Sequence, residues 1–262
     1  MAGTTEVKVF KNKVFTNFIE GADIAYPFDI SQLPSEIGGC ILQWDADESV
    51  SNSLTRNRVG AAMTLVGAPT VAGNAATFSA GNFINTGIDL ANYNTTPLTM
   101  IAIVAENPGG QAPLLGSIQW AAPQRMRGLD SSASQFRAKT LNSSGAAQSP
   151  GFNRSMVAGT SEFLVGRFNP VAPMSTVMTN IRTGQTVTAN HALPMYTLPA
   201  GKMAYIGGSE DGVASGASNV TVLPVKLRAA LIFTRILTDD EVSLVYRYYK
   251  NYYSQLSTPV SI

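Results

Sequence analysis

The chain has 262 residues, of which 45% are hydrophobic and 13% are charged, and its formal net charge is +1 at pH 7. Soluble domains carry about 25% charged residues, and nucleic-acid binding needs clustered lysine and arginine, so DNA and RNA are excluded as expected partners. A chain of this length can bury a large core, and a single cysteine, Cys40, excludes an internal disulfide.

The N-terminal segment differs in pattern from the rest of the chain. It has no apolar run behind a basic start, so no signal peptide is expected. No stretch approaches the roughly 20 apolar residues that cross a bilayer, so no membrane insertion is expected. Residues 1–40 predict an extended arm with one short strand in VKVFKNKVF and a closing turn at Gly38-Gly39. Such an arm either lies across its own domain or reaches a neighbouring subunit.

Residues 41–262 predict a domain of short strands. Apolar segments of strand length, such as PLTMIAIVAE, alternate with turns rich in glycine, asparagine, proline and serine. Further candidates are PLLGSIQW, SQFRAKTL, SEFLVGRFN, STVMTNIRTGQTV, KMAYIGGS and VKLRAALIFTRIL. Strands in this succession are typical of an all-β, antiparallel two-sheet sandwich of jelly-roll type and not of βαβ units.

One helix is predicted, in LTDDEVSLVYRYYKNYYSQL near the C-terminus. Thr238 followed by Glu241 forms a capping-box pattern, and acidic residues in the first turn suit the positive end of the helix dipole. Val242, Val245, Tyr246 and Tyr249 recur at helical spacing and are expected to pack on the sandwich. The acidic residues of the first turn are therefore interpreted as a helix cap.

Several segments resemble the concanavalin A-like and laminin-G-like jelly-roll family. KLRAALIFTRILTDDEVSLVYRYY is similar to the family's last strand and following helix, and KMAYIGGSEDG to the strand before them. TFSAGNFINTGIDLANYNTTPLTMIAIVAE resembles an early hairpin, loop and strand, and QWDADESVSNSLT resembles the opening of bacterial and viral members. The resemblance covers about residues 41–262 and implies a jelly roll in which Asp45 and Asp47 form a turn.

The same resemblance leaves a metal site open. Laminin-G-like folds often bind Ca²⁺ at the rim of the sandwich, and calcium needs six to eight oxygen ligands. Asp45 and Asp47 are the candidate ligands, and the alternative is that they are solvated turn residues. No other cofactor is expected.

An enzymatic site is not predicted. Related glycoside hydrolases carry carboxylates on a mid-domain strand in an E-x-D-x-x-E run, whereas the central strands here are nearly free of acids. The single histidine, His191, has no cysteine or carboxylate near it in the sequence. We therefore expect no catalytic residues and a protein that is not an enzyme.

Two groups of residues suggest binding surfaces. Trp120 with Arg125, Arg127 and Arg137 could stack on a sugar and donate hydrogen bonds to its hydroxyl groups, the alternative being a core tryptophan beside solvent-facing arginines. Tyr248 and Tyr252 cannot share the inward face of the helix with Tyr249, and tyrosine is enriched in protein interfaces. These two tyrosines predict either an interface or simple exposure.

Three functions remain in view. The first is a non-enzymatic bacteriophage virion protein, a capsid decoration or a tail, baseplate or fibre component. It would be made in the host cytoplasm, assemble with itself and with other virion proteins, and touch host glycans. The second is a carbohydrate-binding adhesin or lectin, and the third is a polysaccharide-degrading enzyme.

Overall fold

A computed structural model describes residues 33–106, 108–210, 224–256 and 259–262. The strands are β1 (Cys40–Asp45), β2 (Thr64–Val66), β3 (Thr70–Ala72), β4 (Ala75–Phe78), β5 (Phe83–Asp89), β6 (Leu98–Val104), β7 (Ala112–Gln119), β8 (Arg125–Ser131), β9 (Gln135–Leu141), β10 (Ala147–Gln148), β11 (Gly151–Asn153), β12 (Glu162–Asn169), β13 (Met174–Asn180), β14 (Gln185–His191), β15 (Met203–Ile206) and β16 (Val225–Phe233). Helix α1 (Asp239–Ser254) follows β16.

The strands form two antiparallel sheets of eight. Sheet I has the order β14-β13-β12-β6-β16-β4-β3, with β1 beside β16. Sheet II has the order β10-β9-β8-β7-β15-β5-β2, with β11 beside β9. Neighbours such as β6 and β16 are far apart in sequence, as expected of a jelly-roll sandwich. The predicted all-β two-sheet fold with a C-terminal helix is confirmed.

Strand β6 shows why the central strands are apolar without alternation. All seven of its residues are buried. Met100 and Val104 belong to the core between the two sheets, whereas Ile101 and Ile103 belong to a second core that includes residues of α1. A strand covered on both faces has no position for a solvent-facing side chain. Sheet I is therefore the middle layer between sheet II and the helix.

Helix α1 begins as the sequence predicts. The Thr238 hydroxyl accepts from the Glu241 amide at 3.2 Å, and the Thr238 amide donates to the Glu241 carboxylate at 2.9 Å. These bonds satisfy donors that a helix start otherwise leaves open. Arg235 donates to both Glu241 oxygens, and this pairing, opposed by partial burial and helped by Thr238, lowers the pKa of Glu241 to about 2.

A Glu241→Gln variant should reveal this charge as a pH-dependent loss of stability. Glutamine keeps the capping geometry, so the change isolates the charge, which contributes about 1 kcal/mol or less at neutral pH. Because the folded pKa lies below the unfolded value of 4.5, the contribution is present above about pH 4.5 and lost towards pH 2. Urea unfolding of both proteins should give a difference near pH 7 that shrinks near pH 3. An equal difference at both pH values would contradict this.

The predicted arm lies mostly outside the described residues, since residues 1–32 and their predicted strand are not covered. The predicted turn is described: Gly39 has φ +86°, a conformation that favours glycine, and its carbonyl accepts from the Thr234 amide at 2.8 Å. Strand β1 begins at the next residue, Cys40. The division into an arm (1–40) and a domain (41–262) stays a prediction. Within the described residues, no helix has the length and apolarity to span a membrane.

Candidate functional site

Trp120, predicted to stack on a sugar, lies in a small apolar cluster separate from the sandwich core. It is 6% exposed and packs with Ile118, Met126 and Leu141. A ring enclosed in this way offers little free face to a sugar, since stacking requires access to the ring face. Sugar binding by Trp120 stays a prediction, and its position favours the alternative of a packed tryptophan.

Arg137 lies in a buried ionic network centred on Asp130. Its Nε and Nη2 atoms donate to the two Asp130 carboxylate oxygens at 2.9 and 2.6 Å, and the Lys139 ammonium is 3.9 Å away. Asp130 is fully buried. Burial raises the pKa of Asp130, while hydrogen bonds from Arg137 and Trp120 and the charge of Lys139 oppose the rise. The network links Trp120 to Arg137, and its donors are directed inward at the aspartate.

The other two predicted arginines lie elsewhere. Successive strand residues point to opposite faces, so Arg127 is on the face of β8 opposite to Asp130. Arg127 is 1% exposed and donates to the carbonyl oxygens of Tyr93 and Tyr196 at 3.0 and 3.2 Å. Burial lowers the pKa of Arg127 to about 10. Arg125 is half-buried at the start of the same strand. The four predicted residues are thus divided between two faces of sheet II.

Asp45, a candidate calcium ligand, is paired with two arginines. Its Oδ1 and Oδ2 atoms lie 2.5 and 2.7 Å from Nε and Nη2 of Arg58, and Arg56 Nη2 is 3.3 Å from Oδ2. This pairing raises the pKa of Arg58. Two guanidinium groups on one carboxylate oppose a further cation. The described part of the chain has no group of three or more acidic, histidine or cysteine residues placed to hold a metal. Calcium binding stays a prediction.

Asp47, the second candidate ligand, forms the turn implied by the family resemblance. Its Oδ1 atom accepts from the amide and hydroxyl of Ser49 at 3.0 and 2.6 Å, and its Oδ2 atom accepts from the Tyr252 hydroxyl at 3.0 Å. Burial raises the pKa of Asp47, but these bonds and the charge of Arg56 outweigh it and hold the pKa below its usual value. Asp47 is therefore a carboxylate that joins a rim loop to helix α1.

The loop 46–63, which connects β1 to β2, is fixed to β1 along its length. The Trp44 indole donates to the Ser53 carbonyl at 3.0 Å. The Gln43 amide donates to Asn57 Oδ1 at 3.1 Å, and the Arg58 amide donates to the Gln43 carbonyl at 2.9 Å. These bonds place both arginines beside Asp45, 11 and 13 residues before them in sequence.

Two tyrosines of α1 lie at the same rim. Tyr248 and Tyr252 are half-buried, their rings are parallel to within 3°, and the ring centroids are 6.4 Å apart. Each packs edge-on against an adjacent tyrosine, Tyr249 or Tyr253, and both of these inner tyrosines are fully buried. One helix face cannot hold all four, so the outer pair is directed towards the rim. Whether this pair forms a protein interface stays a prediction.

The tyrosine pair and the loop together form what we call the rim site: Asp45, Asp47, Arg56, Arg58, Tyr248 and Tyr252. Burial, with the nearby carboxylates, raises the pKa of Tyr252, and burial raises that of Tyr248, so both hydroxyls stay protonated at neutral pH. A cavity of about 210 Å³ adjoins the site. Its lining residues are Asp47, Glu48, Val50, Ser51, Ser53, Leu54 and Val71. The rim site therefore combines aromatic surface, hydrogen-bond donors and carboxylates.

Sequence reasoning missed Arg56 and Arg58. Both occur in a polar stretch, SLTRNR, that matches no motif and reads as an ordinary loop. Only the hydrogen bonds between the loop and β1 bring them to Asp45. The available signal was weak: a carboxylate buried on a strand needs a cationic partner, and these are the first arginines after it.

No family model and no curated protein matches the chain, but solved structures do. The binding domain of botulinum neurotoxin DC, in complex with SialylT, has a TM-score of 0.58 and 8% identity, covering 82% of this chain and 52% of that one. The same domain in complex with rat synaptotagmin II has a TM-score of 0.55 and 9% identity, covering 81% of this chain and 52% of that one. A Trypanosoma rangeli sialidase mutant displaying trans-sialidase activity has a TM-score of 0.56 and 18% identity, covering 80% of this chain and 33% of that one.

These similarities support the β-sandwich fold of jelly-roll type, and the chain spans about a third to a half of the similar structures. They also correct the expectation that the chain is not an enzyme. Sialidases are among the chains that contain this fold, so a sandwich without an E-x-D-x-x-E run does not exclude enzymatic activity. None of the three is named as a virion component, and the bacteriophage assignment stays a prediction.

Proposed function

We propose that this chain is a lectin-like, carbohydrate-binding domain that holds a saccharide at the rim site. The observation that carries the proposal is the parallel Tyr248–Tyr252 pair beside Asp47 and two arginines. Sugar rings have apolar faces that stack on aromatic rings and hydroxyl groups at their edges that pair with carboxylates and guanidinium groups. At the rim site the tyrosine rings, the two guanidinium groups and the half-buried Asp47 carboxylate can supply these contacts, whereas Asp45, whose side chain is 2% exposed, holds the arginines in place.

Exposure favours the rim site over the region around Trp120. Side chains of Arg56 and Arg58 are 28% and 25% exposed, whereas Trp120 is 6% exposed. Within the described residues, the Arg56 side chain donates one hydrogen bond, of 3.3 Å, to Asp45, so further N–H groups of its guanidinium can serve a ligand. The adjoining cavity is smaller than the roughly 300 Å³ of ordinary ligand pockets, a size suited to one substituent of a sugar.

Similar structures add support of a general kind. They include a neurotoxin binding domain in complex with SialylT and a Trypanosoma rangeli sialidase in complex with sialic acid. Sialylated glycans therefore belong among the first ligands to test, next to neutral ones. The chain matches only part of each of those proteins. The proposal therefore rests on the geometry of the rim site, and the structural similarity only guides the choice of ligands.

The proposal is tested by exposing the protein to an array of sialylated and neutral glycans. We expect specific binding by the natural sequence and about tenfold weaker binding by Tyr248→Ala, since loss of one stacked ring removes about 1.4 kcal/mol. Arg247→Ala is the matched control, because Arg247 is an exposed neighbour on the same helix. Equal binding by all three proteins, or none by any, would overturn the proposal. Release of free sugar during incubation would reveal hydrolysis in addition to binding.

A further inference from the structure

Among the described residues, strand β14 is a long edge of sheet I with a neighbouring strand on one side only. It has seven residues, Gln185–His191, and is hydrogen-bonded on one side to β13. All seven residues are exposed or half-exposed. The outer side of an edge strand carries backbone N–H and C=O groups that can pair with another strand.

The other edge strands among the described residues are protected. β2, β3, β10 and β11 are only two or three residues long, which gives a partner strand little to pair with. β1 is longer, but the loop 46–63 is hydrogen-bonded to it through Asn57 and Arg58. Of the described edges, β14 is the one that is both long and uncovered.

The composition of β14 allows pairing with a second copy. Its sequence, QTVTANH, contains no lysine, arginine, aspartate, glutamate or proline, the residues with which proteins usually block an exposed edge. Two copies of this strand can therefore meet without like-charge repulsion, which would be destabilising for residues directly opposite each other. The strand is polar enough to remain exposed in a free monomer.

We propose that β14 pairs antiparallel with β14 of a second copy across a two-fold axis at Thr188. An antiparallel pair of identical strands has this symmetry and places the central residue opposite itself. The two copies of sheet I would then form one continuous sheet. Two exposed apolar residues lie at one end of the strand: Leu193, which is 41% exposed, and Val171, which is 54% exposed. Their loops are connected by a hydrogen bond from the Met195 amide to the Pro170 carbonyl. In the dimer they would flank the partner strand.

The test is the mass of the full chain by sedimentation equilibrium at about 100 µM, since strand pairing alone buries less than the roughly 1,200 Å² of stable interfaces. We expect twice the chain mass of 27.7 kDa for the natural sequence. Thr188→Asp and Thr188→Lys should each be monomeric, because each places two like charges opposite one another. An equimolar mixture of the two should again dimerise, because opposite charges then meet at the axis.

Two controls keep the result decisive. At a concentration low enough for the natural sequence to be monomeric, thermal unfolding should be nearly the same in both variants, because dimerisation itself stabilises the folded state. Thr64→Asp, which changes an exposed threonine on the short edge strand β2, should leave the dimer intact. A monomeric natural sequence, dimers that persist in both Thr188 variants, or a mixture that stays monomeric would overturn the proposal. Glycan binding by the monomeric variants is measured separately, so failure of this inference leaves the rim site untouched.

Discussion

A Trp44→Ala chain is expected to lose about 3–5 kcal/mol of its free energy of unfolding. Trp44 is fully buried, and its ring centroid lies 5.8 Å from that of Phe78 in the sandwich core. Alanine would leave a large cavity and remove the bond from the indole to the Ser53 carbonyl. Since that bond anchors the loop 46–63, the variant should also bind glycan more weakly than its remaining folded fraction explains.

Urea unfolding at neutral pH measures the loss, and Trp44→Phe is the matched control. Phenylalanine keeps most of the apolar volume and removes the indole N–H, leaving the Ser53 carbonyl without this donor, at a cost of about 1–3 kcal/mol. The expected order of stability is the natural sequence, then Trp44→Phe, then Trp44→Ala. If Trp44→Ala were within about 1 kcal/mol of the natural protein, the account of this residue as a core and loop anchor would be wrong.

Asp130→Ala should be the second most damaging change, with a loss of about 3 kcal/mol or more. Removing one partner of a buried ion pair leaves the other charge without compensation. Here the Arg137 guanidinium and the Lys139 ammonium would face each other with side-chain exposures of only 18% and 11%. Thermal and urea unfolding would both report the loss.

A triple variant separates charge from packing at this network. Asp130→Ala combined with Arg137→Met and Lys139→Met removes both stranded cations and keeps apolar volume, and such replacements of buried ion pairs are often neutral. We expect it to recover most of the stability lost in Asp130→Ala. A triple variant as unstable as the single one would show that the shape of Asp130, and not its charge, matters.

The fold was largely predictable because its signals are local. The apolar run in β6 predicts a strand, and the capping pair Thr238 and Glu241 predicts the start of a helix, each from a few adjacent residues. The pairing of β1 with β16, some 190 residues apart, was not predicted, since no local pattern encodes which strands become neighbours.

The candidate binding residues were less predictable, because their surroundings decide their role. In the sequence, Trp120 and Arg137 look like an exposed aromatic residue and an exposed cation. In the structure, Trp120 packs among Ile118, Met126 and Leu141. Arg137 donates its hydrogen bonds to the buried Asp130. Helical spacing predicted that Tyr248 and Tyr252 lie off the face that carries Tyr249, and in the structure they are half-buried whereas Tyr249 is fully buried. The same spacing placed Tyr246 on the inward face, where it is only half-buried.

The pairing of Asp45 with Arg58 at the rim is a contact that the sequence did not predict. Asp45 suggested either a turn or a metal ligand, and nothing in the sequence joins it to Arg58. Three hydrogen bonds between the loop 46–63 and β1 create that pair. Contacts of this kind depend on how a loop closes over a strand, which residue patterns do not specify.

The most direct test of the account is a calorimetric titration of the best glycan from the array into the natural protein and into a Tyr248→Ala/Tyr252→Ala double variant. If the rim site binds the sugar, the natural protein should give a measurable Kd and the double variant should bind about 100-fold more weakly, equivalent to about 2.8 kcal/mol. Both variants of the control pair, Arg247→Ala and Lys250→Ala, should match the natural protein. An unchanged Kd in the double variant would contradict the account and place the ligand elsewhere on the domain.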